Sequence, residues 1–343
     1  MQAGAQNIRK YSNDFLTIGA GARAFALSGS VTSLVDDATA GYWNPAALTK
    51  IDDNIQATFM HAAYFGGIAN YDYGSIAFGG KKNSGYALSF VRMGVDGILN
   101  TINLIENGEI NYSRVSSFSA VDFALIGSMG QKIKLRGYRH IDFAYGVNTK
   151  IIRRRGGQFA KAWGFGIDLS INYTTGKWKF AGVVRDVTTT VNAWNYSIDE
   201  ATREVFVRTG NEIPENSTEL TIPRIILGGS REFKISDKFE AIAEMNLDVT
   251  LDGKRNTFIR SNAASVSPSL GVELGYKKIV FLRTGINNVQ WIQQFNGTEN
   301  LSLMPNVGVG VKFKKFAIDY ALSNIGNQSL ALYSNVFSLR YSF

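Results

Sequence analysis

From about Asn54 onward the chain alternates apolar and polar residues with a period of two, the spacing at which successive strand side chains point to opposite faces of a sheet. Phe143, Tyr145, Val147 and Thr149 alternate with Asp142, Ala144, Gly146 and Asn148. Phe165, Ile167, Leu169, Ile171 and Tyr173 alternate with Gly164, Gly166, Asp168, Ser170 and Asn172, and Leu270, Val272, Leu274 and Tyr276 with Ser269, Gly271, Glu273 and Gly275. One face is greasy and the other is small or charged. Turn signals divide the chain into fourteen strands near 54–65, 71–82, 84–96, 117–131, 140–152, 161–175, 177–189, 223–235, 239–251, 266–277, 279–289, 304–314, 316–325 and 335–343. Many of these are long enough for a tilted strand to cross a bilayer, and longer than the roughly five or six residues common in soluble sandwiches.

The connections alternate in length, as they do in bacterial barrels with short periplasmic turns and longer external loops. Compact turns carry Lys81-Lys82, Lys132 to His140, Gly176-Lys177, Ser236 to Lys238, Lys277-Lys278 and Lys314-Lys315, while longer segments lie near 97–116, 190–222, 252–265 and 290–303. An even strand count puts both barrel ends on the short-turn side, which is the expected periplasmic side. Phe337, Leu339, Tyr341 and Phe343 alternate with Ser338, Arg340 and Ser342, so the last strand ends on an aromatic residue. That pattern resembles the insertion signal that outer-membrane barrels present to their assembly machinery.

Residues 1–50 stand outside this pattern. The stretch from Asp14 to Lys50 is rich in Ala, Gly and Ser, carries Asp36-Asp37, and reads as a compact, partly helical segment. Side chains alone need not fill a lumen of fourteen strands, so a plug is the expected role. The division is therefore an N-terminal extension and plug over 1–50 and a transmembrane β-barrel over 51–343. Ala3-Gly4-Ala5 has the small-x-small form that precedes signal-peptidase cleavage, which suggests a removed signal peptide; a chance Ala/Gly pair reads equally well.

Composition narrows the function classes. Aromatics reach 12% and Gly 35 residues against 5 Pro, which favours pleated strands over helices. No run approaches the roughly 18 apolar residues of a spanning helix. With no Cys and two His, neither a thiolate nor a His-based metal site is expected, and no cofactor is implied. The net charge of +8 resides largely in turns rather than on a nucleic-acid-binding face, so no nucleic-acid partner is expected.

Gly19, Gly21 and Ala24, followed by Asp37, spell a dinucleotide fingerprint, but that motif works only between a strand and a helix of a parallel βαβ unit. Acidic residues recur at polar strand positions: Asp122, Asp142, Asp168, Glu240, Glu244, Asp248, Glu273 and Asp319, joined by Lys150 and Arg185. Charges facing lipid at mid-membrane are costly, so these are expected in the lumen, where Arg9, Lys10 and above all Arg23 of the plug could pair with them. A carboxylate pair could in principle serve glycosidase chemistry, yet a polar barrel interior is the simpler account, and no enzyme is expected. Arg153-Arg154-Arg155 reads as a solvated loop more readily than as a lipopolysaccharide phosphate site. Trp163, Trp178, Trp194, Trp291, Tyr71, Tyr73 and Tyr138 lie near strand ends, at the height of aromatic girdles.

Two N-terminal stretches, Asn13 to Ala24 (NDFLTIGAGARA) and Val35 to Leu48 (VDDATAGYWNPAAL), resemble the PorV/PorQ-type outer-membrane proteins, which belong with the FadL-like barrels. Phe316 to Ala321 and Phe337 to Phe343 are similar to the same group, so the resemblance spans the chain. It implies a fourteen-stranded barrel with an N-terminal plug in the outer membrane of Bacteroidetes-type bacteria. Asn44-Pro45-Ala46 is shared with FadL transporters generally.

PorV-like proteins work with the type IX secretion system, receiving clients with a C-terminal sorting domain and passing them to the attachment machinery. The resemblance therefore implies lipid and lipopolysaccharide as surroundings and translocon or attachment subunits and secreted clients as partners, met by loops 190–222 and 290–303. The alternative is a FadL-like channel for hydrophobic small molecules, which needs an apolar pocket reached from outside. A purely structural surface barrel is a third reading.

Overall fold

The computed structural model describes residues 12–51, 55–80, 83–106, 108–134, 141–294, 296–325 and 333–343. Fourteen antiparallel strands close on themselves: β1 (Ile55–Tyr64), β2 (Ala69–Gly80), β3 (Ser84–Asn100), β4 (Ser116–Ile133), β5 (Ile141–Gly156), β6 (Ala160–Thr175), β7 (Trp178–Arg185 continued by Thr190–Tyr196), β8 (Ser217–Thr221 continued by Arg224–Lys234), β9 (Phe239–Thr250), β10 (Ser265–Tyr276), β11 (Val280–Gln293), β12 (Glu299–Phe313), β13 (Phe316–Ser323) and β14 (Ser334–Ser342). Each strand pairs with its sequence neighbour, and β14 returns to β1 from Gln56↔Ser342 to Ala63↔Asn335. Closure leaves no edge whose backbone groups would lie unpaired in hydrocarbon.

The period-two pattern sets the two faces. Phe59, Leu88, Ile151, Leu282 and Ile318 are each at least 50% exposed on the outer surface, while their chain neighbours Met60, Ala87, Ile152, Arg283 and Ala317 are buried inside. Aromatics cluster outward near the short turns, with Trp178 stacked on Phe180, Phe239 against Tyr276 and Phe316 against Tyr341. Tyr71 and Tyr73 depart from the expected girdle. Both are fully buried, because they share the inward phase of Ala69 and meet the N-terminal segment.

The N-terminal segment folds as short helical turns, Asp14–Thr17, α1 (Ala22–Ala26), α2 (Ala40–Trp43) and Pro45–Lys50. It hydrogen-bonds to strands all around the barrel, among them β2, β4, β6, β9, β10, β12 and β14, so it lies within the lumen. No helix of the described residues is long and apolar enough to cross a membrane.

Several connections are shorter than their sequence suggests. β11 and β12 run through most of 290–303 and leave a tight hairpin there, and β5 extends to Gly156, so Arg153 to Arg155 lie on a strand rather than in a loop. The reason is height: beyond the bilayer the outward face needs no grease, and strand pairing continues without the alternation that marks it. The segment 190–222 contains the upper halves of β7 and β8 joined through helix α3 (Glu200–Arg208). The turn Lys81-Lys82, most of the turn ending at His140, and Arg9, Lys10 and Tyr138 lie outside the described residues.

Candidate functional site

The plug is held by close backbone contact. Ala22, Ala26, Ala38, Ala40, Ala46 and Ala47 are wholly buried, and their small side chains let the main chain approach the wall. The wall answers with inward glycines. A Cβ at Gly85, Gly130 or Gly146 would overlap the backbone of Leu48, Pro45 or Ala46, and one at Gly271 or Gly285 would meet that of Leu27 at 2.7 Å. Asn44 and Pro45 shape the entry to the last turn. The Asn44 side chain accepts from the Ala46 N–H at 3.1 Å and donates to Thr32 O at 2.8 Å, and Pro45 occupies the first helical position, where no N–H is required.

Irregular backbone buried inside a barrel needs hydrogen-bond partners. Inward serines supply them. Ser338 Oγ accepts from Ala22 N at 3.1 Å and Ser170 Oγ from Ala46 N at 2.9 Å, while Ser75 and Ser128 donate to the carbonyls of Ala38 and Gly41. Glu244, 1% exposed, accepts from Ser33 N (2.8 Å), Ser33 Oγ (3.0 Å) and Leu34 N (2.8 Å).

Toward the short turns a charged cluster joins plug to wall. Arg23 donates from Nε to Glu273 at 2.9 Å and from Nη1 to Asp36 at 2.8 Å; Glu273 also accepts from Arg283 at 2.5 Å, and Arg283 reaches Asp319 at 2.6 Å. Arg340 of β14 pairs with Asp37, whose other oxygen accepts from Thr39. This cluster roofs a vestibule of about 800 Å³ rimmed by lysines of the turns. Lys50 donates to the carbonyls of Ser33 (3.0 Å) and Val35 (3.1 Å), and burial lowers its pKa to about 8 despite the opposing pull of Asp36.

On the long-loop side the wall itself is broken. Pairing of β6 with β7 stops at Leu169↔Val184 and resumes at Phe165↔Val191, so Arg185 to Thr190 stand against only Gly166 to Asp168. Elsewhere two registers, β3 with β4 and β11 with β12, slip by one residue. Asp186 (φ 55°) and Thr189 (φ 60°) adopt left-handed backbone within this bulge, an uncommon conformation for a β-branched threonine. β8 is interrupted beside it at Ile222-Pro223, where proline brings no N–H to the ladder.

Buried charge fixes the bulge from within. Lys150 lies 2.6 Å from Asp168 and 2.5 Å from Asp186, and the Asp186 N–H donates to Asp168 at 2.9 Å. Arg185 extends into the plug, donating to Leu16 O at 2.8 Å with its guanidinium 4.8 Å from the Tyr42 ring centre. A small cavity of about 50 Å³ lies here between the plug and the bulge, lined in part by Leu16, Tyr42, Asp186, Ile222, Pro223 and Leu251.

The sequence-derived residues thus separate into groups. Arg23, Asp36, Asp37, Glu273 and Asp319 share the short-turn cluster, Glu244 meets the plug backbone, and Asp168 belongs to the bulge latch. Asp142 is a correction. It has the inward phase but lies below the plug, where its side chain is 67% exposed and pairs with Lys132 at 3.4 Å. Phe337 and Leu339 face outward, and Tyr341 packs on Phe316 and on Phe343, whose N–H donates to Ile55 O at 2.8 Å. Arg154 pairs with Asp122 at 3.1 Å, Arg153 lies 4.7 Å over Trp163 and Arg155 donates to Gly157 O at 2.9 Å, so all three arginines of the basic run are engaged. Sequence reasoning missed the serine partners, the glycine seats and the bulge. The first two had a signal in the small residues of the polar phase.

No protein-family model matches the sequence. A search among curated proteins also finds no match. Solved structures do match in fold. The Pseudomonas putida toluene transporter TodX superposes with a TM-score of 0.56 at 13% identity over 94% of this chain and 98% of its own. A Pseudomonas aeruginosa FadL homologue gives 0.54 at 13% identity with the same coverage, and the Ralstonia pickettii toluene transporter TbuX 0.54 at 12% over 94% and 98%. The architecture is that of the FadL-like barrels.

Proposed function

We propose that this chain is an integral outer-membrane protein, not an enzyme, that passes small hydrophobic molecules inward along a plugged lumen with a lateral route through its wall. One coincidence supports the reading: glycine-seated packing blocks straight passage, and the largest break in the wall borders a cavity against that block. The toluene transporters that share the architecture supply the cargo class. The break adjoins outward-facing Ile171 and Leu227, so a molecule leaving there would enter an apolar surface rather than water.

A test is uptake of toluene by proteoliposomes containing the purified barrel. The wild-type protein should accelerate uptake, and a variant lacking Val187 and Thr188, which tightens the bulge, should lose most of that acceleration. Equal uptake by both would sink the lateral route.

A second reading, a secretion component that binds client proteins through its loops, rests on the resemblance of residues 13–24 and 35–48 and on apolar side chains exposed above the barrel. Ile105, Ile110 and Tyr112, in and beside the hairpin Ile105–Glu106 and Glu109–Ile110, are each more than half exposed. Copurification from native membranes separates the two: sorting-domain clients or translocon subunits would favour secretion, and their absence together with toluene uptake would favour the channel.

A further inference from the structure

A separate cavity of about 230 Å³ opens on the long-loop side between the plug and strands β8 to β13. It is smaller than the roughly 300 Å³ at which pockets for drug-sized ligands begin, so it suits a single ring. Its lining is unlike that of an apolar channel. Asn287, Asn288 and Asn324 border it together with Ser267 and Ser323, and Trp43 and Phe25 of the plug supply apolar surface.

Three observations set this lining apart from ordinary wall polarity. First, the asparagines are placed by unusual backbone: β11 bulges between Asn287 and Gln290, and Asn288 (φ 49°) and Asn324 (φ 61°) are left-handed. Bulges and such conformations concentrate where a side chain must be re-aimed at a site. Second, hydrogen-bonding capacity is left over. Among the described residues, the buried hydroxyl of Ser323, 2% exposed, has no hydrogen-bond partner, and the Asn288 amide donates only to the weakly accepting sulfur of Met304 at 3.3 Å. Third, the charges at the rim cancel, because Arg224 is paired with Asp248. The Trp43 indole N–H is already committed to Ala20 O at 2.8 Å, so the ring offers carbon surface rather than a donor.

We propose that this cavity binds one neutral, hydroxyl-rich ring, a pyranose sugar presented at the long-loop face. Amide and hydroxyl groups match the many donors and acceptors of such a ring, a compensated ion pair tolerates its neutrality, and aromatic surface covers its C–H face. A hydrocarbon would leave the Ser323 hydroxyl and the Asn288 amide desolvated and unmatched. This goes beyond the transport reading, since recognition here requires no passage through the wall.

The test is saturation-transfer NMR on the refolded barrel in lauryldimethylamine oxide, a detergent without a sugar headgroup. The probes are the methyl glycosides of glucose, galactose and mannose, then N-acetylglucosamine, with toluene as competitor. At least one sugar should bind with a Kd of about 1 mM or tighter and resist displacement by toluene. Ser267→Leu and Asn287→Leu, which fill the cavity from different strands, should each weaken binding at least about tenfold, and Lys177→Ala in the opposite vestibule should not. Two variants are used so that one folding failure, detected as loss of the compact band in unheated detergent electrophoresis, leaves the other to decide. Absence of binding by all four sugars, displacement by toluene, or unchanged affinity in the folded filled variants would overturn the proposal. Toluene uptake can fail while sugar binding persists, so the two readings fall separately.

Discussion

Glu273 lies between two guanidiniums, accepting from Arg23 at 2.9 Å and Arg283 at 2.5 Å, and it is 4% exposed. Its removal leaves two cations side by side without their shared acceptor, each keeping one carboxylate, Asp36 or Asp319. Removal of Arg23 leaves Glu273 still paired with Arg283. The costs are therefore unequal: Glu273→Ala should destabilise by about 3–5 kcal/mol and Arg23→Ala by about 1–2 kcal/mol, read as loss of apparent melting temperature in detergent. Equal losses would refute the shared-acceptor account. Lys50 gives a pH-dependent counterpart. Its folded pKa of about 8 lies below the unfolded 10.5, so between those values the unfolded state holds more protons and stability rises with pH. Below pH 8 both states are protonated, and the cost of burying the charge, on the order of 3 kcal/mol, is fully present. The melting temperature of the wild type relative to Lys50→Met should therefore climb between pH 8 and 10.5; a flat difference would mean that Lys50 titrates as in water.

At the scale of elements, the plug and the wall fit through glycine. Gly146 sits against the Ala46 backbone nitrogen, whereas Gly74 on β2 has open space where its Cβ would be. Gly146→Val should push the plug from its seat at a cost of about 3 kcal/mol and raise ion conductance in planar bilayers, while Gly74→Val should leave conductance unchanged. Both glycines were visible in the sequence as small residues in strands, but not which of them faces a backbone. The alternation placed the strands and their two faces because lipid imposes a rule that every strand must obey. The bulge was hidden for the opposite reason. Val187, Thr188 and Thr189 are β-branched and read as the end of a continuous strand over 177–189, yet Lys150 and Asp168, distant in sequence, hold Asp186 inward. Likewise Arg23 was identifiable as a lone cation in an apolar segment, whereas its partner on β10 could be narrowed only to a set of inward acids. Thr189→Gly should relieve the left-handed strain and stabilise the bulge by about 1 kcal/mol, raising the melting temperature slightly; a lower value would show that the threonine side chain contributes more than its backbone costs.

For the whole molecule, parity carries the orientation. Both ends of a barrel of fourteen strands lie on one rim, and Ile55 and Phe343 do meet there, on the side of the lysine-bearing turns. The opposite rim bears α3, the hairpin before β4 and the hairpin between β11 and β12. A chain that threads its termini and short turns inward exposes those longer connections to the outside. The absence of native cysteine makes this directly measurable, because any single introduced thiol is the only one that reacts. With a membrane-impermeant maleimide on intact cells, Thr298→Cys and Thr257→Cys should label, and Lys278→Cys should label only after the outer membrane is permeabilised. The reverse pattern would invert the barrel. It would also place the asparagine-lined cavity on the inner side, where a surface-presented sugar could not reach it.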